Sequence, residues 1–118
     1  MNKLLVDLDE TLAFRPNGEE YSEALPDIEM IEHLRRWRTA GFQIVIYTAR
    51  NMRTFDGDVD MIRKHTLPII LEWLAFHAVP YDDIYLGKPW PGPDGYYIDD
   101  RAITPDAFKA MRIPEVES

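Results

Sequence analysis

The chain has 118 residues, a formal net charge of −8 and no cysteine. This length fits one domain, and a hydrophobic content of 46% is enough to build a core. The absence of cysteine excludes disulfides and thiolate metal sites. The acidic balance disfavours general binding to nucleic acid or to anionic membranes, which needs a basic surface, but a bound divalent cation would still admit a phosphorylated ligand.

The amino-terminal residues predict a buried strand that ends in acids. Leu4, Leu5 and Val6 form an apolar run that stops at Asp7, and Asp9 follows two positions later. No apolar run approaches the ~18 residues of a membrane helix, and early acids do not fit a signal peptide. By default, we therefore expect a cytoplasmic protein without membrane contact.

The next segments alternate between helix and strand patterns. Residues 13–26 are polar and rich in proline and glycine, which predicts a short flap. Residues 27–41 predict an amphipathic helix, in which His33 lies among charged residues and is expected to be solvated. Residues 42–47 are apolar and β-branched, which predicts a second buried strand. Residues 51–65 are polar and predict a long loop with at most one helical turn.

The second half of the chain continues the alternation. The predicted elements, in chain order, are a helix over 66–77, a strand over 84–86, a turn-rich segment over 87–95, a strand over 96–98 and a helix over 104–111. Strands that alternate with helices indicate right-handed βαβ units. We therefore predict an α/β fold in one domain, residues 1–118: a Rossmann-like three-layer sandwich with a central parallel sheet of four or more strands and a minimal cap.

Polar side chains follow each predicted strand. They are the carboxylate of Asp7, the hydroxyl of Thr48, the ammonium of Lys88 and the acid pair Asp99-Asp100. Open α/β sheets bind ligands at the carboxyl edge of their strands. Neighbouring strands lie ~4.8 Å apart, so Asp7 and Asp99 would share one cation if their strands were neighbours. Oxygen-only ligands favour Mg²⁺ over Zn²⁺.

These residues carry a resemblance to a known family. Asp7-x-Asp9-x-Thr11, Thr48, Lys88 and Asp99-Asp100 resemble, in this order, the four motifs of the haloacid dehalogenase superfamily, on its phosphatase branch. More narrowly, TARNMRT (48–54), HTLPII (65–70), GKPWPG (87–92) and YIDDR (97–101) resemble small, cap-poor members associated with capsule polysaccharide biosynthesis. The expected activity is therefore a Mg²⁺-dependent phosphatase acting on a phosphorylated sugar or another small metabolite of polysaccharide biosynthesis.

The resemblance implies a role for each catalytic residue. Asp7 would be the nucleophile that forms an aspartyl-phosphate. Asp9 would protonate the leaving oxygen and then take a proton from water. The hydroxyl of Thr48 and the amide of Ala49 would bind phosphoryl oxygens, and Lys88 would neutralise charge between Asp7 and the phosphate.

The same resemblance implies the metal ligands and one supporting residue. Mg²⁺ would be held by Asp7, by the main-chain carbonyl of Asp9, by Asp99, and by Asp100 directly or through water. Thr11 would support Asp9 or its loop by hydrogen bonding.

The segments after the first and second strands are too short for a full cap domain. Either a large substrate closes the site itself, or a second subunit of a homo-oligomer does. Substrate contacts are therefore predicted at Arg15–Tyr21, Arg53 and Trp90, with Arg15 as a possible anion contact. Arg50 would contact the substrate anion or pair with a local aspartate and hold the loop.

Three other functions remain open from the sequence. The Asp-Asp-Arg ending at 99–101 also resembles polynucleotide 3′-phosphatases of end repair, although the chain has no basic stripe. A non-catalytic module with the same fold is another possibility. Such a module would not need the acids and the lysine of the motifs, so the presence of Asp7, Asp9, Lys88 and Asp99 weighs against it. A signalling receiver domain also places acids, threonine and lysine at strand ends, but it normally lacks the Asp-x-Asp-x-Thr pattern.

Overall fold

The core of the protein is a small parallel sheet. In a computed structural model that describes residues 2–115, this sheet has three strands, β1 (Lys3–Val6), β4 (Gln43–Tyr47) and β5 (Asp83–Tyr85), in the order β1-β4-β5. Leu5 pairs with Val45, and Ile46 pairs with Ile84. Because both neighbours of β4 run parallel to it, the three carboxyl ends lie at one edge.

The flap predicted over 13–26 holds a second, much smaller sheet. Strands β2 (Ala13–Phe14) and β3 (Leu25–Pro26) pair in antiparallel fashion, and a single 3-10 turn, Tyr21–Glu23, lies between them. The indole N–H of Trp73 donates to the Ala24 carbonyl at 2.9 Å, so the flap is tied to the body of the protein.

Four α-helices within residues 2–115 accompany the sheet: α1 (Ile28–Thr39), α2 (Val59–His65), α3 (Leu67–Phe76) and α4 (Pro105–Lys109). The Asp27 side chain caps α1 by accepting from the Met30 amide, as its position before the helix predicts. Helix α2 occupies seven residues of the segment predicted as a loop, because Asp58 caps it with two backbone contacts. Within the described chain no helix combines the length and apolar character needed to cross a bilayer.

The predicted fourth strand does not form. Tyr96 and Ile98 are 86% and 98% exposed, and the Tyr97 hydroxyl donates to the Pro89 carbonyl, which folds the segment back onto its own turn. Gly95 lies so close to this turn that a Cβ there would stand 2.1 Å from the Pro91 carbonyl oxygen. The prediction of four or more strands is therefore wrong for residues 2–115. Strand β1 is an edge strand of the three-stranded sheet, and its residue Leu5 is 58% exposed.

One histidine also departs from its prediction. His33 is buried, accepts a hydrogen bond from the indole of Trp37 at 3.1 Å and packs edge-on against Phe108 of α4. Its neighbours along α1 are charged, but α4 covers its side of the helix. The expectation of a solvated His33 was wrong because this contact is long-range.

Candidate functional site

Three predicted site residues follow the carboxyl ends of the sheet. Asp7 comes directly after β1, Thr48 directly after β4, and Lys88 three residues after β5. Backbone hydrogen bonds fix this edge, because the Thr48 amide donates to the Tyr85 carbonyl at 3.0 Å and the Lys88 amide donates to the Thr48 carbonyl at 3.1 Å. The fold therefore brings an acid, a hydroxyl and an ammonium group to one place.

Asp7 and Lys88 form an ion pair at this edge. Their nearest side-chain atoms, Nζ and Oδ1, are 3.7 Å apart, and the Lys88 side chain is 18% exposed. Burial raises the pKa of the Asp7 carboxyl, while the charge of Lys88 acts in the opposite direction. Asp7 is therefore a shielded carboxylate with one positive partner and some access to solvent.

Two tyrosine rings surround the ammonium group of Lys88. The Nζ atom is 4.3 Å from the ring centroid of Tyr97 and 5.7 Å from that of Tyr47. Burial, together with the nearby charge of Asp7, raises the pKa of the Tyr97 hydroxyl. Aromatic faces attract cations, so the rings help to hold Lys88 beside Asp7. Neither tyrosine was predicted as a site residue, although Tyr97 lies two residues before the predicted metal ligands Asp99 and Asp100.

Asp9 is held by Arg50 in a two-point contact. Arg50 Nε donates to Oδ2 at 3.0 Å, and Nη2 donates to Oδ1 at 2.8 Å. The residues that follow each partner, Glu10 and Asn51, have φ of 65° and 61°, in the left-handed region that costs energy for non-glycine residues. The turns after Asp9 and after Arg50 therefore each contain a residue in this unfavourable backbone conformation.

Thr48 and Ala49 form the turn that leads to Arg50. The Thr48 side chain is buried, and its Oγ1 accepts from the Arg50 amide at 3.0 Å. The hydroxyl keeps its own proton for donation. Thr11, predicted to support Asp9, donates its backbone amide to the Leu8 carbonyl at 3.3 Å, within the turn that carries Asp9.

The acid pair Asp99-Asp100 does not join the other residues. Both side chains are exposed, and Asp99 Oδ1 accepts from the Arg101 amide at 2.8 Å in a local turn. Across residues 2–115, no three acidic or histidine side chains approach closely enough to hold a metal ion. The failure follows from the missing fourth strand, since that strand was to carry Asp99 to the edge.

The residues predicted to contact substrate fall into two aromatic–arginine contacts. The guanidinium carbon of Arg53 lies 5.6 Å from the ring centroid of the half-exposed Trp90. That of Arg15 lies 3.8 Å from the ring of Tyr21, within the flap. The ring of Tyr21 also lies 4.2 Å from the guanidinium carbon of Arg50. The predicted range Arg15–Tyr21 included Tyr21, but this contact with Arg50 was not predicted, and no spacing pattern indicates it.

One surface cleft lies away from the sheet edge. A cavity of ≈ 560 Å³ is lined by residues at the end of α1 and by the segment between α3 and β5, namely Arg35, Arg38, Thr39, Ala78, Val79 and Pro80. None of these is a predicted site residue. This cleft therefore does not coincide with the polar cluster at the sheet edge.

Comparison with known proteins gives one informative result. No family model and no curated protein matches the chain. A crystal structure of a target protein from Vibrio cholerae is 56% identical in sequence and superposes with a TM-score of 0.91. The match covers 96% of this chain and 91% of that one, and the name of that protein states no activity. With this identity along nearly all of both chains, the protein belongs to the same family as the Vibrio cholerae protein.

Proposed function

We propose that the protein is a phosphomonoesterase of the haloacid dehalogenase type that works through an aspartyl-phosphate on Asp7. The observation that carries the proposal is the pair of Asp7 and Lys88, 3.7 Å apart at the carboxyl edge of a parallel sheet. The partly exposed carboxylate supplies a nucleophile, and the ammonium group beside it supplies the positive charge that phosphoryl transfer needs.

The proposed reaction has two steps. In the first, an Asp7 carboxylate oxygen forms a bond to phosphorus while the bond from phosphorus to the leaving oxygen breaks, and Asp9 gives that oxygen a proton. In the second, water attacks the aspartyl-phosphate, Asp9 takes a proton from the water, and the bond from Asp7 to phosphorus breaks. One water is consumed, and an alcohol and phosphate are released.

The surroundings of Asp7 suit the charge on the phosphoryl group. The ammonium of Lys88 lies beside the nucleophile, and the hydroxyl of Thr48 and the amide of Ala49 follow the neighbouring strand. Positioned donors of this kind stabilise negative charge on the transferred oxygens at little reorganisation cost. The rings of Tyr47 and Tyr97 next to Lys88 reduce its contact with water.

The predicted magnesium site does not fit the arrangement of the described residues. Asp99 and Asp100, two of the predicted ligands, are exposed, and Asp99 accepts from the Arg101 amide in a local turn. No group of three potential ligands forms within residues 2–115. The requirement for Mg²⁺ therefore rests on the resemblance of the sequence motifs, and the steps above involve side chains alone.

The open edge favours a small phosphorylated substrate that leaves part of itself in solvent. A sugar phosphate or another small metabolite of polysaccharide biosynthesis fits the narrower sequence resemblance, and either the substrate or a second subunit would close the site. A cytoplasmic location stays a prediction. The polynucleotide 3′-phosphatase and the non-catalytic module are alternatives that a substrate screen separates.

A substrate screen with and without metal tests the proposal. Purified protein is assayed for phosphate release from an aryl phosphate, sugar phosphates, small alcohol phosphates, nucleotides and a 3′-phosphorylated oligonucleotide, with Mg²⁺ or with a chelator. We expect turnover of small phosphates in Mg²⁺, loss in chelator and loss in Asp7→Asn, whereas Asp60→Asn, an exposed change on α2, keeps wild-type rates. Turnover in Asp7→Asn above about a tenth of the wild-type rate would contradict the proposal, and so would a wild-type protein that turns over none of the substrates.

A further inference from the structure

The guanidinium of Arg50 is buried on a carboxylate instead of facing solvent. The Arg50 side chain is 1% exposed, whereas that of its partner Asp9 is 33% exposed. Two of its three nitrogens donate to the two Asp9 oxygens. A guanidinium that is enclosed and engaged in this way does not reach a ligand in solvent, but it does fix the plane of the carboxylate that it holds.

The flap contacts this guanidinium through Tyr21. The centroid of the Tyr21 ring is 4.2 Å from the guanidinium carbon of Arg50 and 3.8 Å from that of Arg15. Arg15 in turn donates from Nη1 to the Glu19 carbonyl at 3.0 Å. Arg50 Nη1 is buried without a hydrogen-bond acceptor in the described part of the chain. Contact with an aromatic face partly offsets that loss.

The flap is anchored in a way that keeps Tyr21 in place. Strand β2 begins four residues after Asp9 and pairs with β3, and Trp73 of α3 donates to the carbonyl of Ala24, one residue after the 3-10 turn that begins at Tyr21. The position of Tyr21, and with it the contact with Arg50, is therefore fixed from both ends of the flap.

We infer that Arg50 is a positioning residue for Asp9 and that the flap holds Arg50 in place through Tyr21. This inference rests on the proposed function, because it concerns the proton that Asp9 gives to the leaving oxygen. Of the two roles that the sequence left open for Arg50, a contact with the substrate anion or a pair with a local aspartate, it takes the second and assigns Asp9 as that aspartate. The flap thereby acts on the proton-transfer step and not only on substrate choice.

The test compares two substrates that differ in whether the leaving oxygen must be protonated as it departs. An aryl phosphate has a leaving oxygen that departs readily without protonation, whereas glycerol phosphate does not. With Arg50→Met we expect kcat/KM for glycerol phosphate to fall by about 10²-fold, near the low end of the contribution of general acid catalysis. For the aryl phosphate, kcat/KM should fall by only about tenfold. Arg50→Lys, which keeps the positive charge and can donate to Asp9 but lacks the planar guanidinium, restores part of the loss.

The flap contact is tested in the same assay. Tyr21→Leu removes the ring and should produce the same substrate-dependent pattern to a smaller extent, whereas Tyr21→Phe keeps the ring and rescues it. The matched control is Arg63→Met, which removes an exposed arginine of α2. Inhibition by inorganic phosphate should be unchanged in Arg50→Met, because the positioning role leaves phosphate binding intact.

The outcomes separate this inference from the proposed function. Equal losses on both substrates would show a general structural effect, and weakened inhibition by inorganic phosphate would make Arg50 a phosphate ligand. Either result, in a wild type that turns over, overturns this inference alone. A wild type without phosphatase activity overturns the proposed function and the role of Arg50 in it.

Discussion

Lys88 is the residue whose loss should damage phosphoryl transfer in a way that its geometry allows us to estimate. Its Nζ is 3.7 Å from the Asp7 carboxylate, and a phosphoryl group attached to Asp7 would lie at a similar separation. At this distance two unit charges interact by about 1 kcal/mol in water and about 4.5 kcal/mol at the effective dielectric of a protein surface. Because the side chains are 18% and 38% exposed, we expect Lys88→Met to cost about 2–3 kcal/mol in transition-state stabilisation.

The assay is steady-state hydrolysis of an aryl phosphate at fixed ionic strength. A loss of about 2–3 kcal/mol corresponds to a decrease in kcat/KM of roughly 30- to 160-fold. Removing the ammonium group also removes the influence that lowers the pKa of Asp7, so this pKa should rise further when it is followed by carboxyl NMR. Lys109→Met, which removes the partner of Asp27, is the matched control. A decrease below about threefold, or a downward change in the pKa of Asp7, would refute the reasoning.

Three further predictions concern the nucleophile, the substrate contacts and the sheet. Asp7→Asn should abolish turnover, to below about a tenth of the rate, while thermal unfolding shows an intact fold. Trp90→Ala or Arg53→Ala should lower kcat/KM for the physiological substrate by about 1–3 kcal/mol and change the aryl phosphate rate much less; equal effects on both would place substrate selection elsewhere. Asp82→Ala removes the acceptor of the buried Ile44 amide, a 2.8 Å contact. It should lower the free energy of unfolding by about 1–3 kcal/mol in urea titrations, and Asp82→Asn, which keeps an acceptor, should cost less.

The strands that carry the site were predictable because their patterns are local. The runs at residues 4–6, 42–47 and 84–86 are apolar and stop at polar residues, and the structure confirms β1, β4 and β5 within one residue at each end. Parallel pairing then brings the residues after these strands to one edge without further assumptions. This is why Asp7, Thr48 and Lys88 were found together.

The remaining parts depend on contacts between distant segments, which local patterns do not contain. Residues 96–98 have the composition of a strand, but a strand also needs a neighbour, and Tyr97 bonds to Pro89 instead. The neighbours of His33 along α1 are charged, but Phe108 of α4 packs against its ring. The contact of Arg50 with Asp9 spans 41 positions, so the sequence left two roles for Arg50 open.

The central claim is that a phosphoryl group becomes covalently attached to Asp7. The most direct measurement is to mix the protein with an aryl phosphate and Mg²⁺, quench it in acid during turnover and map the modified peptide by mass spectrometry. The account predicts one added phosphoryl group on the peptide that contains Asp7, lost on treatment with hydroxylamine and absent in Asp7→Asn. Turnover without phosphorylation of this peptide, or phosphorylation of a different residue, would contradict it.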